Sequence, residues 1–291
     1  MKEQEPSRTA FAAAAHRAIH QVVEKGKIFS DPLALTIVGM QAKDVQHEQE
    51  LHIARRGIRL FIAARSSYAE AALARAVEQR EVRQVVILGA GLDTFAYRSQ
   101  LPGDTRIFEV DHPATQAWKR RRLEQVGIER PVSLIYAPVD FENDTLLDGL
   151  NAAGFDASRR TFFIWLGVVP YLTERAIDLT LEAIGSLIGG AEVVFDYSDP
   201  PSSFSKELLA LHQERVARVA AVGEPFLSYF DPPALHEKLR KFGFREIDDV
   251  GARRLLSRYL EQPTTTAQPA KENSGPGSGG GHVLFAATKF T

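Results

Sequence analysis

The 291-residue sequence predicts an α/β protein: a doubly wound sheet of seven strands, mostly parallel with an antiparallel last strand, preceded by a helical N-terminal extension. Three observations carry that prediction. From residue 84 onward, short apolar runs of strand length alternate with helix-length stretches, the pattern of successive right-handed βαβ units. The first run, Val85-Val86-Ile87-Leu88, is uncharged and rich in β-branched side chains, as suits a strand buried on both faces. It passes straight into Gly89-Ala90-Gly91, where glycines let the chain turn sharply and bring its backbone close to a ligand.

The elements follow in order. Residues 6–24 read as a helix, with Pro6 and Ser7 as start signals ahead of a run of alanines. Ile28-Phe29 then precedes Ser30-Asp31-Pro32, an apolar pair before a cap with Pro at the first helical position. More helix is expected from about His47 to Val77, interrupted near Ala64-Arg65-Ser66-Ser67. Residues 1–80 thus form a helical cap, placed to cover the ligand edge of the sheet. Residues 81–291 form the core, with further strands at 105–110, 132–136, 161–166, 191–197, 244–250 and 283–288. Helices are expected over 203–220 and from Asp231-Pro232-Pro233 to 241. Only 253–260 has apolar periodicity between the last two strands, which suits an antiparallel closing strand. Residues 262–281 hold Pro, Thr, Ser and Gly but no large apolar side chain, and read as a flexible loop within a single 1–291 domain.

Composition sets the outer bounds. Hydrophobic residues are 44% and charged residues 25%, ordinary globular values. A net charge of −2 gives no global field favouring nucleic acid or an anionic membrane. No cysteine is present, so disulfides and thiolate sites are excluded, and no metal site is read from the sequence. The polar N-terminus lacks a signal core and no apolar run reaches membrane-spanning length, so a cytoplasmic protein without membrane partner is expected. Nothing in the sequence sets the oligomeric state.

The residues at the strand ends narrow the ligand. A dinucleotide fingerprint wants a third glycine where this chain has Thr94, and the carboxylate of Asp93 would repel a pyrophosphate. An NAD-dependent oxidoreductase is disfavoured on both grounds. S-adenosylmethionine (SAM), whose methionine end is zwitterionic, remains compatible; a plain tight turn is the simpler alternative. About 20 residues past the turn, Glu109 and Asp111 compete as acceptor for a ribose diol, or one merely caps the next helix. Asp140-Phe141 suits an adenine amino group and ring face, or a helix cap with a core phenylalanine. The basic run Trp118-Lys119-Arg120-Arg121-Arg122 reads as a solvated helix face. Gly89, Asp111, Asp140, Leu166 and Tyr197 all fall at carboxyl ends of strands, where such sheets bind ligands.

Several segments together resemble the bacterial branch of the leucine carboxyl methyltransferase-like family, among class I SAM-dependent methyltransferases with a Rossmann-like sheet. They are Ser7-Arg8-Thr9-Ala10, Ile28 to Ala34, Ala64-Arg65, Val86 to Arg98, Phe108 to Asp111, Pro138 to Phe141 and Trp165 to Leu172. The resemblance implies that Arg65 grips the methionine carboxylate and that Gly89, Ala90 and Gly91 form a backbone platform with Asp93 in the turn. It implies Asp111 for the ribose diol with His112 beside it, and Asp140 and Phe141 for the adenine. Many members carry an acid after the fourth strand, near the SAM ammonium; this chain has Leu166, which leaves backbone carbonyls near Gly89 or Asp93 for that contact.

The expected reaction is O-methylation of a carboxylate or hydroxyl on a small molecule or protein terminus. Proximity and orientation supply roughly 7–11 kcal/mol of such a barrier. A carboxylate needs no base, whereas a hydroxyl does. His112, His212, His236 and His282 are conceivable bases, but nothing in the sequence places one by the methyl, so no catalytic residue is named. Tyr171 and Tyr197 are candidates for lining the acceptor pocket, together with the N-terminal helices, residues 200–230 and the 262–281 loop. A non-catalytic module that kept the fold is the alternative, favoured by Leu166 and the lack of an evident base.

Overall fold

The uncharged run after residue 84 becomes β1 (Gln84–Leu88), and all five of its residues are buried. The computed structural model describes residues 7–47, 55–141, 143–260 and 280–289. The remaining strands are β2 (Arg106–Asp111), β3 (Leu134–Pro138), β4 (Thr161–Trp165), β5 (Ala191–Ser198), β6 (Phe244–Gly251) and β7 (Gly281–Thr288). They form one sheet in the order β3-β2-β1-β4-β5-β7-β6. The pairs from β3 to β5 are parallel, whereas β7 runs antiparallel to both β5 and β6. The chain winds one way from β1 and then returns to place β4 on the other side, so the strand order reverses at β1. Ligands of open α/β sheets bind at that reversal, outside the carboxyl ends.

Alternation along β1 divides the core. Val85 and Ile87 face a cluster with Leu60, Ala69 and Leu73 of the long helix Arg56–Gln79. Val86 and Leu88 face the opposite cluster, with Ile177, Leu181 and Ile184 of Glu174–Gly185 and Leu235 of Pro232–Lys241. Phe162, Phe163 and Trp165 of β4 are 0% exposed, and full burial of side chains this size contributes ~1.5–3 kcal/mol each. A third, smaller cluster joins Ala14 and Ala18 of α1 (Arg8–Val23) to Leu92 of the glycine turn.

The N-terminal extension is stitched to that turn by polar contacts. Ser7 caps α1 by accepting from Ala10 N at 3.1 Å. Asp31, expected as a helix cap, is instead a fully buried hub. It accepts from Arg17 Nε at 3.2 Å and from the Thr94 hydroxyl at 2.7 Å, while Arg17 Nη2 donates to Leu92 O at 2.7 Å.

Four expectations need correction. The Arg56–Gln79 helix runs unbroken through residues 64–67, because Ser66 folds its hydroxyl back onto Ile62 O at 3.0 Å and Ala64 and Arg65 are buried against the sheet. β3 starts two residues later than expected, since Val132 is fully exposed and pairing with β2 begins at Leu134. The basic run is no uniform solvated face: Lys119 is buried against Glu109, and Arg122 donates to the carbonyls of Thr36 and Ile37. Helix 203–220 is found at Lys206–Ala221, with Ser205 as its cap. The 262–281 loop lies, up to residue 279, outside the described residues. Among the described residues no helix is long and apolar enough to cross a membrane.

Candidate active site

The carboxyl ends of five neighbouring strands bring most of the sequence-selected residues to one edge. At β1 the chain leaves through Gly89 and Gly91 at φ +61° and +48°. A Cβ on Gly89 would lie 2.4 Å from Val168 Cγ2, and one on Gly91 would lie 2.9 Å from Ala10 Cβ. The turn therefore needs glycine twice, for its backbone and for the close approach of α1 and the β4 loop. Ala90 N donates to Val110 O at 3.0 Å, fixing the turn to the end of β2. Asp93 accepts from Phe95 N at 2.7 Å. Burial opposes its charge, but Arg17, Arg98 and Lys119 outweigh it and hold the carboxyl below the usual range.

Beside the turn, both oxygens of Asp111 accept backbone N–H groups, one from Gly91 and one from His112 at 2.7 Å. Burial pushes its carboxyl up, partly offset by those two bonds. Its competitor Glu109 is committed elsewhere: Lys119 Nζ lies 2.8 Å from Glu109 Oε1, with both side chains 1% exposed. Burial lifts Glu109 to about 7 against the pull of Lys119. His112 accepts from Ala114 N through Nδ1 at 3.2 Å, and its Nε2 lies 3.9 Å from Asp140 Oδ2. Asp140 and the half-buried Phe141 follow β3, completing this half of the edge.

On the other side of β1, Arg65 is buried and its Nη1 lies 2.5 Å from Asp196 Oδ2 of β5. The second oxygen of Asp196 accepts from Gly167 N at 2.5 Å. Arg65 Nη2 would sit 2.7 Å from a Cβ on Gly167, so the guanidinium lies directly against the loop after β4. Arg65 Nε is buried without a hydrogen-bond partner. Leu166, Ser66, Glu70 and Asp93 line a small cavity of about 10 Å³ at this junction. Glu70 pairs there with Arg98 and its carboxyl is pushed up by burial.

The two tyrosines differ. Tyr171 stands at the end of the β4 loop, its ring 5.1 Å from Phe226. Tyr197 is 1% exposed, and its hydroxyl donates to Asp249 at 2.5 Å while its ring stacks on His282 at 4.8 Å. It serves a packed polar network and offers no open face. His236 and His282 belong to that same network on Asp249, and His212 Nε2 lies 3.0 Å from the Tyr229 hydroxyl.

Three residues that the sequence did not single out stand in the site. Asp196 orients Arg65. His16 of α1 has a buried Nδ1 with no partner, and burial together with Arg59, Arg55, Arg215 and Arg65 pushes it down to about 4. Arg215, from Lys206–Ala221, lies over the Phe226 ring at 4.9 Å. Nothing in the sequence signals these: each depends on a partner far along the chain, and only the alanine-rich helical spacing around His16 hints at an inward face.

A family model for leucine carboxyl methyltransferase matches residues 10–185, from α1 across the glycine turn to the helix after β4. The chain belongs to the leucine carboxyl methyltransferase family. This family member is 31% identical over 268 residues to YktD of Bacillus subtilis, provisionally described as a SAM-dependent methyltransferase, covering 84% of this chain and 88% of that one. A protein of Mycobacterium avium with the same class of description is 32% identical over 196 residues, 67% of this chain but 59% of its own length. Two crystal structures share the fold at 14% identity. One, from Thermobifida fusca, has a TM-score of 0.56 over 99% of this chain and 96% of its own. The other, from Streptomyces avermitilis, has a TM-score of 0.55 over 94% and 97%. The chain is a SAM-dependent methyltransferase with a Rossmann-like α/β fold.

Proposed function

We propose that this methyltransferase esterifies an acceptor carboxylate at the edge described above, on a small molecule or a protein terminus, with hydroxyl acceptors as the lesser alternative. SAM, when bound, supplies a methyl on a sulfonium whose departure leaves a neutral thioether. The residues present suit that ligand. The orphaned buried Nε of Arg65 is a donor awaiting an anion, as a methionine carboxylate would be. Beside the glycine turn, Asp111 offers carboxylate oxygens to a ribose diol, and Asp140 with Phe141 flanks the far end for an adenine. Residues Ala90, Asp93, His112 and Leu166 complete this proposed cofactor set.

One observation carries the preference for a carboxylate. Burial and the neighbouring Arg59, Arg55, Arg215 and Arg65 keep the His16 imidazole neutral down to about pH 4. It is a poor store for a proton taken from a hydroxyl, whereas Arg215, which has no ion-pair partner among the described residues, favours an acceptor that arrives as an anion. Nucleophile and methyl then need only alignment and exclusion of water. We further infer a cytoplasmic enzyme acting as one domain.

The test is transfer of label from methyl-tritiated SAM into pools of small carboxylic acids and of peptides with free C-termini. Label released as methanol by mild base marks an ester and supports the reading. Base-stable label would replace carboxylate by hydroxyl, and no label on any acceptor would reject catalysis in favour of a binding module.

A further inference from the structure

We propose that Arg215 recognises the acceptor: its guanidinium holds the acceptor's carboxylate while an apolar acceptor body packs on the neighbouring aromatic rings. The inference rests on the carboxylate reading above and deepens it by naming the specificity element, the 204–229 segment.

The geometry comes first. Lys206–Ala221 contributes no buried residue, so this helix lies on the molecule as a cover. Its return leg is docked on the β4 loop, where Leu227 N donates to Pro170 O at 2.7 Å and the Ser228 hydroxyl to Val169 O at 2.8 Å. That loop begins at Gly167, against Arg65. Arg215 over the Phe226 ring at 4.9 Å and Phe226 tilted by 54° against Tyr171 at 5.1 Å therefore form a continuous run of contacts leading to the carboxyl end of β4. His212 extends the aromatic surface, 6.0 Å from Phe226.

The charges single out Arg215. Asp196 is shared between Arg65 and Gly167 N, and Glu224 is bound to the first turn of α1. Arg215 has no ion-pair partner among the described residues; its neighbours are the Phe226 ring and the Tyr171 phenol. Burial and the neighbouring Arg65 disfavour its charge, offset in part by Tyr171 and Asp196, and the guanidinium stays charged. A shielded guanidinium with spare donors favours a ligand that brings a carboxylate. The reaction then supplies its own release: as the O–CH3 bond forms and the S–CH3 bond breaks, the acceptor loses its charge and Arg215 its counter-ion.

The experiment uses the full-length protein saturated with S-adenosylhomocysteine. Benzoate, phenylacetate and decanoate are titrated calorimetrically beside their carboxamides, against wild type, Arg215→Lys and Arg215→Met. The proposal predicts that at least one acid binds tenfold or more tighter than its amide, that Arg215→Met abolishes this preference, and that Arg215→Lys keeps part of it. S-adenosylhomocysteine affinity stays unchanged in both variants. Absence of any acid preference across the panel, or its survival in Arg215→Met, overturns the assignment. Failure of the wild type to bind S-adenosylhomocysteine would instead strike the cofactor reading, and acid binding with hydroxyl-only methyl transfer would strike the carboxylate reading alone.

Discussion

Glu224 is joined to the first turn of α1 across 216 residues of sequence, and removing its charge should loosen that helix selectively. Its carboxylate accepts from Arg8 N at 2.9 Å, Thr9 N at 3.1 Å, the Ser7 hydroxyl at 2.9 Å and the Thr9 hydroxyl. α1 has no acidic residue of its own in its first turn, so Glu224 supplies the charge that the exposed N–H groups and helix dipole favour. Glu224→Gln keeps one acceptor but loses the charge, a cost of about 1–2 kcal/mol by the range for caps and dipole contacts. That corresponds to a roughly 5- to 30-fold rise in local opening. Hydrogen exchange of residues 8–15 reads it directly, with β1 as the internal reference. Because Ala10 covers Gly91, the same loosening should uncover the glycine turn and speed SAM association. Unchanged exchange in the first turn of α1, or an equal rise in β1, would show that Glu224 does not anchor that helix end.

Two further outcomes follow from buried charge. Lys119→Met leaves Glu109 buried without its partner and should cost about 3–5 kcal/mol in urea unfolding, most of it recovered in Lys119→Met/Glu109→Leu; a single-variant cost below about 1 kcal/mol would contradict the pairing. His282 sits between Asp249 at 2.8 Å and Asp199 at 3.2 Å, which lift it to about 9 against the opposing effect of burial. Its folded value exceeds the unfolded 6.5, so its contribution is fully present below pH 6.5 and is lost as pH rises through about 9. The thermal midpoint should therefore fall between those values in wild type and change less in His282→Asn, whereas parallel curves would rule the network out as a pH-dependent support.

What was legible in the sequence was what neighbouring residues decide. The uncharged run before Gly89 fixed a central strand, Ser7 and Asp231 marked helix starts, and the lack of apolar periodicity outside 253–260 between the last two strands pointed to an antiparallel β7. The glycines, Asp111 and Asp140 were legible because strand ends in this architecture face one edge. What was missed depends on distant partners. Ser66 looked like a helix breaker until its helix was seen buried on the sheet, and Lys119 looked solvated until Glu109 appeared beneath it. Likewise Asp31 became a hub through Arg17 and Thr94, and no local pattern tied Asp196 to Arg65 or Glu224 to Ser7.

Arg65, the glycine turn and Asp111 together form the proposed SAM site. Calorimetric titration of wild type and Arg65→Met with SAM tests it most directly, with Arg65→Met/Asp196→Asn as the control for the freed carboxylate. Wild type should bind with micromolar affinity, about −8 kcal/mol, falling tenfold or more in Arg65→Met and not recovering in the double variant. Equal affinity in wild type and Arg65→Met, or binding restored by Asp196→Asn, would contradict it.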